Sequence, residues 1–189
     1  MNHQVELRPY QQDAVDAVEQ AWGRGKSPCL VALPTGTGKT IVFAHLIRRM
    51  QERCPGRPAL VLAHRDELVA QAEARIREVI PSAPTGWIKA ERDEWDAPVV
   101  VGSVQTLARN SRLEHIPAGH YGLVVVDEAH HATARSYRRI LKRARLDEME
   151  MRLMEATAYR IVHYAERMKK LLERRIRRKL VEEPKEAAE

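Results

Sequence analysis

A glycine-rich stretch of this chain combines residue types that can hold a phosphate group. Its sequence is Leu33-Pro34-Thr35-Gly36-Thr37-Gly38-Lys39-Thr40. Glycines let backbone N–H groups turn inward around a phosphate, where a side chain would block the approach. The Lys39 ammonium can reach β- and γ-phosphates, and the Thr40 hydroxyl can ligate Mg²⁺. Apolar runs at 29–32 and 41–44 flank the stretch, so we predict a strand, a phosphate-binding loop and a helix that starts near Gly38.

Leu33 departs from the general phosphate-loop pattern, which has a glycine at that position. The departure weakens a generic assignment and favours one branch of the class. The alternative interpretation is a glycine-rich turn that binds nothing, but the flanking elements and the Gly-Lys-Thr sequence both favour a nucleotide site.

A second chemical motif comes after another apolar run. Leu123-Val124-Val125-Val126 is typical of a buried parallel strand, and Asp127 and Glu128 come directly after it. Carboxylates at the C-terminal end of such a strand lie beside the phosphate loop of a nucleotide-binding sheet. We therefore predict that Asp127 helps to hold Mg²⁺ and that Glu128 polarises the attacking water. Alone, the pair would be read as a solvated turn.

The composition of the 189 residues restricts the class of protein. No apolar stretch approaches the ~20 residues that a membrane span needs, so we expect no membrane partner. Two cysteines, Cys29 and Cys54, favour reduced thiols and a cytoplasmic location. The net charge of +6 is uneven, because residues 135–181 contain 16 basic against 6 acidic side chains, whereas residues 1–134 are nearly neutral. Such a basic segment is either a solvated helix face or a contact with a polyanionic partner.

The remaining pattern alternates apolar runs with helical periodicity. We predict strands at 29–33, 59–63, 98–101 and 123–126, and helices at 9–22, 39–52, 66–80, 104–110 and 135–146. Residues 81–98 contain several turn formers and are predicted to be a surface connection. Strands that alternate with helices indicate an α/β fold with a mostly parallel sheet between helical layers.

The C-terminal part has a different character. Beyond residue 153, apolar residues recur every three or four positions and basic residues lie between them, which predicts a long amphipathic helix ending near Pro184. We expect a nucleotide domain at 1–146, this helix within 147–183 and a disordered tail at 184–189. The basic face is either a solvated surface or a contact with nucleic acid or a partner, and the apolar stripe could mediate self-association.

Five segments together resemble the first RecA-like domain of superfamily II helicases and translocases of the DEAH-box-like type. Leu7-Arg8-Pro9-Tyr10-Gln11 resembles the adenine-recognition segment, residues 33–40 resemble motif I, and Asp127-Glu128-Ala129-His130 resembles motif II. Residues 61–68 and 101–107 resemble two strand-end motifs that face nucleic acid. The resemblance covers residues 5–145 and implies a P-loop NTPase with a RecA-like three-layer sandwich.

The resemblance also implies roles for single residues. Gln11 would hydrogen-bond the adenine edge and Arg8 would help to hold the base. ATP and Mg²⁺ would be the ligands of residues 34–40 and Asp127, with Lys39, Asp127 and Glu128 as catalytic residues. His64, Arg65, Ser103 and Gln105 would contact nucleic acid, with DNA favoured over RNA. His64, Arg65 and Ser103 could instead be solvated loop residues, and Tyr10-Gln11 could be an ordinary helix start.

The departures from the family begin after motif II. A Thr-Ala-Thr-Pro-like motif III is expected there, and residues 152–160 offer only Thr157-Ala158 in a helix-favouring context. We favour a helix over a strand for this segment, which would leave a gap in the sheet because the family's motif III strand lies centrally.

The second RecA-like domain of the family is not among these residues. We expect a truncated paralogue, a gene fragment, a frame-shifted end or an engineered piece that needs a second domain in trans. The predicted function is an ATP-binding, weakly ATP-hydrolysing half of a helicase that does not unwind alone. The alternative is a non-catalytic nucleotide-binding module whose basic helix binds nucleic acid or mediates self-association.

Overall fold

The fold is taken from a computed structural model of the chain. The structure describes residues 5–26, 29–34, 36–64, 66–90, 92–116, 119–128 and 134–144. The helices are α1 (Pro9–Gly23), α2 (Lys39–Arg53), α3 (Asp66–Val79), α4 (Val104–Leu107), α5 (Asn110–Leu113) and α6 (Arg135–Arg143). The strands are β1 (Ala59–Ala63), β2 (Thr85–Lys89), β3 (Arg92–Asp93), β4 (Val99–Ser103) and β5 (Leu123–Val126).

One five-stranded sheet organises the described chain. Its order is β3-β2-β4-β1-β5, and every pair is parallel except β2 with β3. The side chains of β1 and β4 are buried throughout, because helices cover both faces of these inner strands. The carboxyl ends of β1, β4 and β5 therefore lie at the same edge of the sheet, where ligands bind in open α/β folds.

Helices on both faces complete a three-layer arrangement, as predicted. Phe43, Ile47 and Ile76 of α2 and α3 pack against one face of the sheet. Leu107, Tyr137 and Ile140 of α4 and α6 pack against the other face. Alternate residues of β1, β4 and β5 belong to the two clusters, so successive side chains of each strand pack against opposite helical layers.

The predicted strand at 29–33 is wrong for the described residues. The segment forms no strand, although Val31 and Leu33 pack against the α1–α2 cluster that Leu123 also contacts. A strand needs a neighbour that supplies backbone hydrogen bonds, and β5 is the last strand of the sheet on that side. The apolar side chains of this segment pack in the core, but its backbone pairs with no strand among the described residues.

The prediction for residues 81–98 is also wrong, because β2 and β3 lie within this interval. Gly86 and Ile88 are buried, whereas Thr85, Trp87 and Lys89 are half-buried. This is the period-two pattern of a strand with one covered face. Because one of the buried positions is a glycine, the sequence does not show the alternation of apolar and polar residues that would indicate a strand. A Cβ at position 86 would overlap the backbone oxygen of Glu94.

Other predicted bounds are close to the observed ones. The helix predicted at 104–110 is two short helices, α4 and α5, separated near Ala108. The predicted C-terminal amphipathic helix and the segment 152–160 lie outside the described residues. None of the helices in the described ranges is long and apolar enough to cross a membrane.

Candidate nucleotide and nucleic-acid site

Two glycines shape the phosphate loop that precedes α2. Gly36 has φ +81° and Gly38 has φ +80°, a region that L side chains rarely adopt. The Thr37 hydroxyl donates to the Pro34 carbonyl oxygen at 2.7 Å, which closes the turn between them. Pro34, Gly36 and Thr37 thus form the compact loop that the sequence predicted, while Thr35 lies outside the described residues.

Gly38 also places the start of α2. It is the N-cap residue, and Lys39 and Thr40 occupy the first helical turn. The free N–H groups and the positive end of the helix dipole at this point attract anions. Lys39 lies over the loop, because its Nζ donates to the Leu33 carbonyl oxygen at 3.3 Å.

The segment predicted to recognise adenine is tied to the phosphate loop. Gln11 is buried, its Oε1 accepts the Arg8 backbone N–H at 2.9 Å, and its Nε2 donates to the Thr37 carbonyl at 2.8 Å. The Tyr10 hydroxyl donates to the same Thr37 carbonyl at 3.0 Å, and Arg8 donates to the Tyr10 oxygen at 3.4 Å. A primary amide has two N–H groups and two oxygen lone pairs, so Gln11 still has one of each to offer to an adenine edge. Recognition of adenine by Gln11 stays a prediction.

Asp127 and Glu128 leave β5 at the ligand-binding edge. The Asp127 N–H donates to the Leu62 carbonyl at 3.0 Å and prolongs the pairing of β5 with β1. The Glu128 N–H then donates to Asp127 Oδ1 at 3.0 Å. Glu128 has φ +55°, and the left-handed region costs a non-glycine residue about 1–2 kcal/mol. Such strain concentrates at functional sites.

The surroundings of Asp127 raise its pKa. Burial raises the pKa of Asp127, and the Glu128 charge adds to the rise, whereas the Glu128 N–H and the Lys39 ammonium oppose it. The charge of the loop lysine thus contributes to the surroundings of a carboxylate that lies 88 positions later in the sequence.

The donor set fits a Mg²⁺ ion. Thr40 and Asp127 offer hydroxyl and carboxylate oxygens, which are the ligands that Mg²⁺ accepts alongside phosphate oxygens and water. The loop also fits a phosphate, because Gly36 and Gly38 adopt left-handed conformations directly before the N-terminus of α2, where backbone N–H groups lack intrahelical partners.

The residues predicted to contact nucleic acid lie at the same edge of the sheet. His64 comes after β1 and is half-buried, Ser103 ends β4, and Gln105 lies in α4. Gln105 is exposed, whereas Ser103 is fully buried and its hydroxyl has no hydrogen-bond partner among the described residues. Arg65 lies outside the described residues. The contacts of these four with nucleic acid stay predictions.

Tyr137 is a feature of the site that sequence reasoning missed. It is buried under the ligand-binding edge, with its ring stacked on His64 at a centroid separation of 6.3 Å and an interplanar angle of 12°. Its three- and four-residue spacing to Ile140 and Leu141 is typical of a core stripe, so no sequence signal separates it from a packing residue.

A left-handed glycine loop at a helix N-terminus, with paired carboxylates at the end of a nearby parallel strand, defines the P-loop class of nucleotide-binding domains. The family of the type III restriction enzyme Res subunit matches residues 4–159. The chain belongs to this family, and it corresponds to the first RecA-like, ATP-binding domain of superfamily II helicases.

Individual relatives agree with this assignment. The ATP-dependent helicase IRC3 of Saccharomyces cerevisiae is 38% identical over an alignment of 154 residues that covers 78% of this chain and 22% of that protein. The Escherichia coli type I restriction enzyme EcoKI endonuclease subunit is 33% identical over an alignment of 133 residues that covers 66% of this chain and 11% of that protein. The chain thus spans about a fifth or less of these relatives.

Solved structures show the same fold. The UvsW helicase of bacteriophage T4 has a TM-score of 0.60 and 25% identity, with 76% of this chain and 50% of that chain covered. The Sulfolobus solfataricus SWI2/SNF2 ATPase core in complex with double-stranded DNA has a TM-score of 0.62 and 21% identity, with 75% and 30% covered.

Proposed function

We propose that this chain binds Mg-ATP and hydrolyses it slowly, as one half of a nucleic-acid translocase that does not unwind a duplex alone. The observation that carries the proposal is the left-handed glycine loop at the start of α2, with Lys39 in the first helical turn, together with Asp127 and Glu128 directly after the parallel strand β5. Lys39 would neutralise phosphate charge, and Thr40 and Asp127 would hold the metal. Bound Mg²⁺ would polarise the phosphoryl oxygens.

Glu128 is the proposed group that orients the attacking water. Glu128 follows Asp127 with a left-handed φ, and the pairing of β5 with β1 fixes the residue before it. A strained backbone of this kind supports a functional role for the side chain. Phosphoryl transfer depends on positioning and electrostatic stabilisation, so a misdirected carboxylate would lower turnover without lowering affinity.

Slow turnover is expected of these residues alone. An arginine finger contributes about 10³–10⁵ in kcat to phosphoryl-transfer enzymes that use one, and the family resemblance places that arginine on a second RecA-like domain. The partner in the full cycle would be such a domain, acting together with a strand of nucleic acid.

The test separates binding from hydrolysis. Glu128→Gln keeps the shape of the side chain and removes its charge, so we expect Mg-ATP affinity within about threefold of wild type and at least a tenfold fall in phosphate release. The matched control is Glu114→Gln, which changes an exposed glutamate away from the site. Equal turnover in wild type and Glu128→Gln would assign the water-orienting role elsewhere.

A second candidate function is nucleic-acid binding through the basic C-terminal segment, with nucleotide as a structural ligand. The concentration of positive charge in residues 135–181 favours it, and Arg135 and Lys142 of α6 are exposed. Replacing Arg174, Arg175 and Arg177 by Gln should lower DNA affinity and cut the salt slope by roughly 0.7–0.9 for each phosphate that the variant no longer neutralises. Unchanged affinity and salt slope would show that these basic side chains form a solvated surface that does not contact DNA.

A further inference from the structure

Tyr137 lies between the two sites that the proposed function needs. It is in the first turn of α6, and the residue is only 1% exposed. Its ring packs in the cluster that contains Leu62 of β1 and Val126 of β5, which are the last residues that pair between these two strands. A buried phenylalanine would fill this space without the cost of removing a hydroxyl from water.

The hydroxyl of Tyr137 meets the loop that comes after β1. It lies 3.4 Å from His64 Nδ1, and the two rings are nearly parallel. When Nδ1 is unprotonated, the hydroxyl donates to it, which fixes both the tautomer and the orientation of the half-buried imidazole. The bond is long, so a small displacement of either element changes its strength.

The same hydroxyl is within electrostatic reach of the strand-end carboxylates. Burial foremost, then the charge of Asp127 and then that of Glu128, raise the pKa of Tyr137 to about 12. The phenol therefore keeps its proton and stays a hydrogen-bond donor toward His64. Asp127 follows Val126 directly and His64 lies two residues after Leu62, so a displacement of either strand end would change the 3.4 Å contact.

We propose that Tyr137 is a positioning residue that couples the state of the nucleotide site to the nucleic-acid-facing loop through its hydroxyl contact with His64. The inference rests on the proposed function, because it requires a nucleotide at Lys39 and Asp127 and a strand of nucleic acid near His64. Tyr137 touches neither ligand, and its effect is on how binding of one changes binding of the other.

A matched pair of variants isolates the hydroxyl. Tyr137→Phe keeps the buried ring and its stacking on His64. Tyr121→Phe is the control, because Tyr121 is 8% exposed in the same cluster and its hydroxyl has no hydrogen-bond partner among the described residues. Burial alone raises the pKa of Tyr121 to about 12, without a contribution from the carboxylates.

The measurement is the coupling factor between two ligands. Fluorescein-labelled single-stranded DNA and RNA of one sequence are titrated by anisotropy with the full chain, with and without a non-hydrolysable Mg-ATP analogue. We expect the analogue to change wild-type affinity for the tighter strand by at least about fivefold, as typical site–site couplings do. Tyr137→Phe should bring this factor to within about twofold of unity, while Tyr121→Phe keeps the wild-type value.

The His64→Phe variant, which keeps an aromatic ring but has no acceptor for the Tyr137 hydroxyl, provides the second comparison. It should lose coupling to the same extent as Tyr137→Phe, and the double variant should show no further loss, because both remove one interaction. This inference is wrong if Tyr137→Phe keeps the wild-type coupling factor. It is also wrong if the wild type binds nucleotide but shows no coupling between the two ligands. Neither result would contradict nucleotide binding by the chain. Absence of nucleotide binding in the wild type would instead overturn the proposed function.

Discussion

Replacing Gly38 by Ala places a methyl group where the structure has the side chain of Gln11. The new Cβ would stand 2.6 Å from Gln11 Nε2, well inside van der Waals contact. Gln11 is buried and bonded at both ends of its amide, to Thr37 and to Arg8. The substitution therefore strains the backbone and displaces the hydrogen bond that ties α1 to the phosphate loop.

The magnitude has two parts that a control can separate. The left-handed φ of +80° costs an alanine about 1–2 kcal/mol, offset by ~0.4–1 kcal/mol from lower entropy of the unfolded chain. Displacing Gln11 breaks at least the bond to Thr37, which removes about 1 kcal/mol, or ~2 kcal/mol if the Arg8 bond breaks too. We expect a total loss of about 2–3 kcal/mol.

Gly36→Ala is the matched control. Gly36 has nearly the same φ, +81°, but a Cβ there meets no atom within 4 Å. Its loss of stability should be ~1 kcal/mol, which is the backbone contribution alone. Urea denaturation measures both variants, and an unchanged m-value shows that the unfolding reaction is the same.

A double-mutant cycle identifies the interaction. In a Gln11→Ala background the methyl group of Gly38→Ala has no side chain to displace, so the second substitution should cost only the backbone contribution. The coupling energy should be about 1–2 kcal/mol. Equal losses for Gly36→Ala and Gly38→Ala, or strict additivity with Gln11→Ala, would refute the placement of Gln11 beneath the loop.

The remaining predictions concern the nucleotide base and the acid sensitivity of the fold. If the spare donor and acceptor of Gln11 read an adenine edge, wild type should bind ATP more tightly than GTP and Gln11→Ala should lose the preference; competition titration measures this, and equal wild-type affinities would contradict it. Burial foremost, then Arg48, lowers the pKa of His45, while its bond to the Val5 carbonyl opposes the shift and Arg49 adds to it. As the pH falls, His45 binds a proton in the unfolded chain at a higher pH than in the folded chain. The free energy of unfolding therefore decreases as the pH drops below about 6.5. Thermal denaturation at pH ~7.5 and ~5.5 should show a smaller loss for His45→Gln than for wild type, and an equal loss would assign the acid sensitivity elsewhere.

Sequence reasoning recovered the parts of the site that depend on local pattern. Gly36, Gly38 and Lys39 are close together in sequence, and the run before Asp127 has the uniform apolar character of a parallel strand. Each property belongs to one short segment, so spacing and residue type identify it. The three-layer α/β fold is predicted by the alternation of such segments.

Features that depend on pairing between distant segments were not accessible in the same way. The run at 29–33 looks like a strand, but a strand also needs a neighbour, and apolar character does not indicate one. Gly86 concealed the alternation of β2 because its burial depends on the close approach of Glu94. Tyr137 has the pattern of a core residue, and only the fold brings its hydroxyl beside His64.

The most direct test of the central claim is calorimetric titration of Mg-ATP into wild type and Lys39→Ala. The phosphate loop, the helix N-terminus and the Lys39 ammonium act on one ligand, so wild type should bind and the variant should lose at least about tenfold in affinity. Arg49→Ala, which removes a cation of the same helix outside the loop, should retain wild-type affinity. Equal affinities for wild type and Lys39→Ala would contradict nucleotide binding at this loop.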